Sequence, residues 1–197
     1  MLGRRGEKHR FMPGRYVFPG GGVAREDGRA WPGEIPPDST DPIRLRCARA
    51  AVRETFEETG LVLGRAGPGA VGETLSPVEA ALAAEGLAPA LDLLTLIGRA
   101  ITPTYHRMRF NAYFFLADGA LVRGRLSGGH ELEALGWHPV EHACPEPMPR
   151  VTRFMLQHAV AVRRGTAGPA IPFYCHIGTK PVVRRLPLAQ PSRAAAD

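Results

Sequence analysis

The segment from Pro42 to Thr59 limits the fold more than any other part of the chain, because it carries the signals of one long amphipathic helix. Asp41 is a helix cap in front of a proline at the first helical position, and Gly60 is a helix stop. Between them, apolar and small residues recur about every 3.6 residues, at Leu45, Ala48, Val52, Thr55, Phe56 and Thr59. The spacing predicts a helix over 42–59 with one face on a core.

Three glutamates, Glu54, Glu57 and Glu58, lie on the edge of this predicted helix opposite its apolar positions. Each like-charged pair at such spacing costs roughly 0.2–0.5 kcal/mol in an isolated helix, and the negative end of the helix dipole adds to the cost. Taken alone, the cluster is most simply explained as a solvated acidic face. A hard divalent cation would instead remove the repulsion, because magnesium prefers carboxylate oxygens as ligands.

The remaining elements are predicted from apolar patterns and turn signals. A short strand over 15–18 ends at the glycines Gly20 to Gly22, which permit backbone conformations closed to other residues. Trp137 is expected to be a core residue rather than a platform for adenine. The other expected elements are helices over 77–85 and 150–163 and strands over 93–102, 107–117, 171–175 and just before Trp137.

The length of 197 residues favours one domain, which we place at 1–185, followed by a flexible tail at 186–197. The segment 23–41 is rich in Gly, Pro, Asp and Glu without periodicity, so we expect a surface loop there. No apolar run approaches the roughly 18 residues of a membrane helix, and no apolar stretch follows the first basic residues. These features predict no membrane association and residence in the cytoplasm.

The net charge of +6 comes almost entirely from scattered arginines. A basic protein can bind nucleic acid, but here no basic and aromatic residues interleave as a stacking platform, so a compositional bias is the better explanation. We therefore expect no nucleic-acid partner, although a basic surface would raise the local concentration of a small polyanionic substrate. The oligomeric state stays open, with a homodimer among the alternatives.

Two stretches of the chain together resemble the Nudix box, G-x5-E-x7-R-E-U-x-E-E-x-G-U, in which U is a bulky apolar residue. The first stretch is Phe18-Pro19-Gly20-Gly21. The second runs from Arg53 to Leu61 and departs from the box only where Thr55 replaces the first apolar residue. The resemblance spans residues 10 to 162 or so, and it implies an α/β fold of the α+β sandwich type, with helices on both sides of a mixed central β-sheet.

The first half of the box departs from the family pattern. Gly21 lies 32 positions before Arg53 where the box has 14, so 18 residues are inserted, and Leu45 stands where the box has glutamate. Asp27, six residues after Gly21, is a candidate for the missing acid. The family fold also begins with a further strand, of which Met1-Leu2 would be a remnant. We therefore expect part of the N-terminal strand to be missing, with the natural start codon upstream or the present form unstable.

The resemblance also implies a role for each matching residue. Glu57 and Glu58 would ligate magnesium, or manganese in its place, together with the backbone carbonyl of Gly21. Glu54 would be a further ligand or the general base, so that Glu54, Glu58 and Arg53 form the catalytic set, with Arg53 buttressing the carboxylates. A late acidic ligand is expected before the strand that leads to Trp137, and Glu131 is preferred to Glu133 for this role.

A similar long insertion occurs in the subfamily that resembles acyl-coenzyme A diphosphatases. Coenzyme A hydrolases of the family often carry a segment like R-x3-G-x3-F-P-G-G, which Arg10, Gly14 and Phe18 to Gly21 fit here as substrate-binding residues. Equally, Gly14 could serve a turn and Arg10 could be a solvated cation. The resemblance thus implies a small nucleotide substrate, most simply coenzyme A or acyl-coenzyme A. Alternatives are a dinucleotide or nucleotide sugar, or a catalytically silent Nudix domain that binds a nucleotide.

Overall fold

The computed structural model describes residues 1–9, 11–37, 39, 41–67, 75–127, 131–140 and 144–186. Its helices are α1 (Pro42–Thr59), α2 (Pro77–Ala84) and α3 (Arg150–Arg163). Its strands are β1 (Leu2–Arg5), β2 (Tyr16–Val17), β3 (Leu61–Ala66), β4 (Leu87–Pro89), β5 (Thr95–Ile101), β6 (Asn111–Leu116), β7 (Val122–Gly124), β8 (Leu132–Gly136), β9 (Ile171–Ile177) and β10 (Lys180–Leu186). Within these ranges, no helix has both the length and the apolar character needed to cross a membrane.

The described strands form three sheets, with the orders β2-β1-β8, β10-β9-β5-β6 and β4-β3-β7. In the four-stranded sheet, β5 pairs antiparallel with β6 and parallel with β9, which makes this sheet mixed. The combination of a mixed sheet and helices confirms the predicted fold class. At the N-terminus, where the sequence suggested only a remnant at Met1-Leu2, β1 has four residues and pairs with both β2 and β8.

Helix α1 has the bounds predicted from its end signals. The side chain of Asp41 accepts a hydrogen bond from the Ile43 amide at 2.9 Å, and Gly60 ends the helix at a φ of 71°. Such a left-handed turn favours glycine because a side chain would clash with the backbone. The apolar face of α1 packs into the main core, which contains Trp31, Ala48, Val52, Val62, Leu63, Val78, Leu82, Leu87, Leu91 and Leu94.

Most described residues of the segment 23–41 are exposed and lie outside regular elements, but the segment is also anchored to the core and to α1. Trp31 is buried in the main core, and Asp27 is only 1% exposed. Ile35 donates its amide to the carbonyl of Pro89 and accepts from the amide of Leu91, both at 2.8 Å. The composition of the segment gave no sign of these anchors, which are one large aromatic ring and two ion pairs to α1.

Helix α3 also has its predicted bounds, and it packs on β5, where Gly98 leaves space for the side chain of Met155. The strands predicted over 93–102 and 107–117 are shorter than expected, because 91–93 form a 3-10 turn and 102–110 form a connection.

Trp137 is exposed rather than buried, since β8 ends at Gly136 and the indole ring lies over Gly119. Strand β10 extends to Leu186, the first residue of the predicted tail, and 187–197 lie outside the described residues.

Candidate active site

The turn after β2 contacts α1 through a backbone hydrogen bond. The amide of Gly20 donates to Oε2 of Glu58 at 2.7 Å, although the two residues are 38 positions apart in the chain. Gly20 has a φ of 146°, a conformation that side-chain-bearing residues rarely adopt. The glycine turn therefore fixes one carboxylate of the acidic cluster.

Gly21 approaches the same helix so closely that a side chain there would have to displace the carboxylate of Glu54. A Cβ atom built on Gly21 would overlap with the carboxylate of Glu54, whereas a Cβ on Gly22 would meet no atom within 4 Å. The carbonyl of Gly22 accepts a hydrogen bond from Nη2 of Arg53 at 2.8 Å. The glycine turn and the acidic edge of α1 are thus in direct contact, and the acidic cluster is not a free solvated face.

Arg53 is buried at the centre of this arrangement, and all its N–H groups have partners. Nε and Nη2 donate to the two carboxylate oxygens of Asp27, each at 3.0 Å, and Nη2 also donates to the carbonyl of Gly22. Nη1 donates to Glu54 and to Glu57, each at 2.9 Å. The bonds to Asp27 and Glu54 raise the pKa of Arg53 further above its ordinary value. Arg53 therefore positions two carboxylates and has no donor left for a substrate.

Asp27 comes from the segment 23–41, in a 3-10 turn over Glu26–Gly28. Its Oδ2 also accepts the amide of Ala24 at 2.7 Å, so the carboxylate is held from both sides. Leu45, which stands at the box position of the glutamate, is half-buried on α1. Asp27 is therefore the acid that the segment 23–41 contributes to the partners of Arg53.

A second arginine of α1 is held in the same way. Nε and Nη2 of Arg49 donate to the two carboxylate oxygens of Glu34 at 2.7 and 2.8 Å. Both side chains are buried, at 8% and 5% exposure. Nη1 of Arg49 also donates to the carbonyl of Asp27 at 3.1 Å. Two buried ion pairs therefore join the segment 23–41 to the polar face of α1.

The buried carboxylate of Glu58 and the partly buried carboxylate of Glu54 both have raised pKa values. Burial is the main cause that raises the pKa of Glu58 to about 7, and the neighbouring charges of Glu54 and Glu131 add to it. The Gly20 amide and the charge of Arg5 act in the opposite direction. Burial likewise raises the pKa of Glu54, and the adjacent Arg53 opposes the shift. Crowded carboxylates of this kind are the environment in which a bound cation stabilises the ionised forms.

The other acidic candidates differ in position. Glu57 is half-exposed and bonded to Arg53 through Oε2. Glu131 is exposed, lies 3.4 Å from Nε2 of His9, and its charge raises the pKa values of Glu54 and Glu58. Glu133 pairs with Arg4 at 2.8 Å. Of the two late acids, Glu131 is therefore the one whose charge acts on the acidic cluster.

Of the residues predicted to bind substrate, the structure describes Gly14 and Phe18, and their contacts are mainly structural. Gly14 has a φ of 65°, and its amide donates to the carbonyl of Arg5 at 3.0 Å, which closes the connection from β1 to β2. Phe18 lines a large cleft beside the glycine turn and also packs against Phe114, with the ring centroids 6.2 Å apart. Arg10 lies outside the described residues.

Two cleft residues, Arg5 and His9, were missed by the sequence analysis. Nη1 of Arg5 lies 3.1 Å from Nδ1 of His9, and the charge of Arg5 lowers the pKa of Glu58. Both residues line the cleft. The sequence does not show which of the adjacent arginines at positions 4 and 5 faces the acidic cluster, because only the register of β1 decides this.

The donor set fits a hard divalent cation. In the part of the chain that the structure describes, no three carboxylate, imidazole or thiol groups converge as a complete metal cage. Magnesium, however, commonly uses one or two carboxylates and completes its shell with waters and substrate phosphates. Glu54 and Glu58 are partly buried oxygen donors with raised pKa values, beside the backbone of the glycine turn. They supply the oxygen ligands that such a site needs.

A cleft of about 1760 Å³ contains the glycine turn, Arg5, His9 and Glu131 along its wall. This volume exceeds the roughly 300–1,000 Å³ of a closed small-molecule pocket, so the cleft is wide enough for an extended ligand and does not by itself identify one.

Comparison with solved structures identifies the family. The crystal structure of a NUDIX hydrolase from Alicyclobacillus acidocaldarius shares 34% sequence identity with this chain, over 81% of this chain and 82% of the other, with a TM-score of 0.61. The chain belongs to the Nudix hydrolases. The structure of a MutT NUDIX hydrolase from Burkholderia pseudomallei is also similar, with 21% identity over 80% of this chain and 84% of the other and a TM-score of 0.48. No protein-family profile matches the chain, and no curated protein sequence does.

Membership of this family makes the protein an enzyme that hydrolyses a nucleoside diphosphate derivative. The catalytic alternative is therefore favoured over the silent nucleotide-binding domain. This Nudix hydrolase brings the glycine turn, Arg53 and the glutamates of α1 together as one unit, and Asp27 joins that unit from the segment 23–41.

Proposed function

We propose that this Nudix hydrolase cleaves the diphosphate linkage of coenzyme A or acyl-coenzyme A with the help of a divalent cation, magnesium or manganese. The choice of substrate is based on the spacing of Arg10, Gly14 and Phe18 to Gly21, which resembles the segment found in coenzyme A hydrolases of the family. In support, Gly14 closes the connection that leads to the glycine turn, and Phe18 lines the cleft.

The proposed metal ligands are the carboxylates of Glu57 and Glu58, the carbonyl of Gly21, and Glu131, whose charge acts on the acidic cluster. Glu54 is the general base or, alternatively, a further ligand. Glu57 is bonded to Arg53 through one oxygen, which leaves its second oxygen for a cation. When bound, the cation would offset negative charge on the phosphates and lower the pKa of a coordinated water. Arg53 holds Glu54 and Glu57 in place through Nη1.

The chemistry is a displacement at phosphorus. The oxygen of a water molecule forms a bond to one phosphorus, and the bond from that phosphorus to the bridging oxygen breaks. Glu54 accepts the proton of the attacking water. Glu54 is bonded to Arg53 through Oε1, which leaves Oε2 to accept this proton. The bridging oxygen leaves with the second phosphate.

The test is an assay of the purified protein with Mg²⁺ against coenzyme A, NADH and ADP-ribose, with products identified by chromatography. The proposal predicts turnover of coenzyme A to a phosphopantetheine and an adenosine bisphosphate. Glu58→Gln should lose this activity and Glu26→Gln, an exposed glutamate outside the cleft, should keep it. Turnover of NADH or ADP-ribose without turnover of coenzyme A would remove the proposed substrate.

A further inference from the structure

Two loops meet at one wall of the cleft and form an exposed apolar surface. Phe11, in the connection from β1 to β2, lies against Phe110, in the connection from β5 to β6, with ring centroids 4.9 Å apart. Tyr105, Met108 and Phe110 are 56%, 39% and 43% exposed. We call Phe11, Tyr105, Met108 and Phe110 the apolar shelf. All four residues line the cleft that also contains Gly20, Gly21 and Glu131.

The shelf is held in place by hydrogen bonds within the β5–β6 connection. The amide of Thr102 donates to the carbonyl of Phe110 at 3.0 Å, and the amide of Phe110 donates to Oγ1 of Thr102 at 3.1 Å. The amide of His106 donates to the carbonyl of Pro103 at 3.1 Å. These bonds close the base of the loop, so its apolar side chains are exposed by a defined backbone conformation. Clustered exposed apolar side chains of this kind often mark a binding site.

Three exposed cations flank the shelf on the same two loops. Lys8 and Arg109 line the cleft, and Arg107 lines a smaller recess together with Phe11 and Met108. Among the residues that the structure describes, none of these three cations pairs with a carboxylate. The wall thus combines flat apolar faces with positive charge that has no partner within the described protein.

We propose that the apolar shelf, with Lys8, Arg107 and Arg109, binds the nucleoside half of the substrate and selects a ribose that carries an additional phosphate. The inference rests on the proposed function only in placing the diphosphate at the acidic cluster. Aromatic side chains stack on a base with roughly 1–3 kcal/mol per base, and arginine forms paired hydrogen bonds to phosphate oxygens. An acyl chain would cover the shelf but would give the three cations no anion to bind. A nucleoside with an additional phosphate therefore matches this wall better.

The first experiment measures binding of adenosine 3′,5′-bisphosphate and of 5′-AMP to the full chain by calorimetry. The wild-type protein should bind the bisphosphate at least about tenfold more tightly, which corresponds to about 1.4 kcal/mol. The double variant Arg107→Ala/Arg109→Ala should lose this preference, so that the two affinities agree within about threefold. The matched control is Lys180→Ala/Arg184→Ala, which removes two charges on β10 that do not line the cleft, and it should keep the preference.

A second variant tests the shelf separately from the charges. Tyr105→Ala removes an exposed ring, so the fold should stay intact, and both ligands should bind about fivefold or more weakly with an unchanged ratio. Equal affinity of the wild-type protein for the two ligands would overturn the inference. So would an unchanged preference in the arginine double variant, or unchanged affinities in Tyr105→Ala.

Turnover separates this inference from the proposed function. If coenzyme A and 3′-dephospho-coenzyme A are hydrolysed with equal kcat/KM, the inference fails while the proposed function stands. If the bisphosphate binds with the expected preference but coenzyme A is not hydrolysed, the inference stands and the proposed substrate fails.

Discussion

Arg53 and Asp27 form a two-point ion pair that joins α1 to the segment 23–41, with Nε and Nη2 of the arginine each 3.0 Å from one carboxylate oxygen. Asp27 is 1% exposed, so the pair is shielded from water. Because the same guanidinium also bonds Glu54 and Glu57, Asp27 helps to set the position of two candidate metal ligands without contacting the substrate itself.

Asp27→Asn should therefore reduce both stability and activity. Removing one partner of a buried ion pair leaves the other charge uncompensated and typically costs about 3–5 kcal/mol. We expect a lower midpoint of urea unfolding and a kcat that falls more than KM rises, because the carboxylates lose their alignment. Glu26→Gln, next to Asp27 and exposed, is the control and should behave as wild type. An active Asp27→Asn variant with an unchanged midpoint would show that Arg53 does not need this partner.

Gly21→Ala and Gly22→Ala should differ sharply in kcat, although the two positions are adjacent. The new Cβ at position 21 would overlap with the carboxylate of Glu54, whereas the Cβ at position 22 would meet no atom within 4 Å. We expect Gly21→Ala to lower kcat by about tenfold or more, equivalent to about 1.4 kcal/mol in the activation barrier, and Gly22→Ala to stay near wild type. Steady-state kinetics of the two proteins check this. Similar activities would mean that the turn does not contact the carboxylate closely.

Glu58→Gln should stabilise the metal-free protein at high pH. The folded protein holds the Glu58 proton more tightly than the unfolded chain, with a pKa of about 7 against an ordinary value of 4.5. Ionisation of Glu58 therefore lowers the free energy of unfolding as pH rises from 4.5 to about 7, by up to roughly 3 kcal/mol. With EDTA present, the variant should gain stability over wild type at pH 8 and little at pH 4. Urea unfolding at both values gives the comparison, and an equal difference at both would contradict the assigned pKa.

Truncation of the two tryptophans should change the free energy of unfolding by very different amounts. Trp31→Ala removes a ring from the main core and should cost about 3–5 kcal/mol of unfolding free energy. Trp137→Ala removes a ring that is 58% exposed and should change that free energy by about 0.5 kcal/mol or less. Chemical denaturation measures both. A small loss for Trp31→Ala would show that the segment 23–41 is not part of the core.

The helices were predictable because their end signals are local. Asp41 and Gly60 bound α1, and a proline follows Ser76 at the start of α2. Strands β3, β4, β7 and β10 were missed, because a strand is stabilised by partners that are distant in the sequence and β3 follows Gly60 without a separate turn signal. Local patterns do not reveal such pairings.

At the site, too, residues within a local motif could be predicted, whereas residues brought in by distant parts of the chain could not. The glutamates of α1 and the glycine turn could be selected from motif spacing, and Asp27 was already a candidate for the missing acid. The ion pair between Arg49 and Glu34 had no sequence signal, and neither did Arg5 in the cleft. Both depend on the path of the segment 23–41 or on the register of β1, which only the three-dimensional structure gives.

The most direct test of the account is Mn²⁺ binding to the wild-type protein, Glu58→Gln and Glu26→Gln, followed by the loss of the free-ion signal in electron paramagnetic resonance. The account predicts one site in the wild-type protein and in Glu26→Gln, and an affinity at least about tenfold weaker, or about 1.4 kcal/mol, in Glu58→Gln. Equal affinity in all three proteins would contradict the claim that the glutamates on α1 hold a divalent cation.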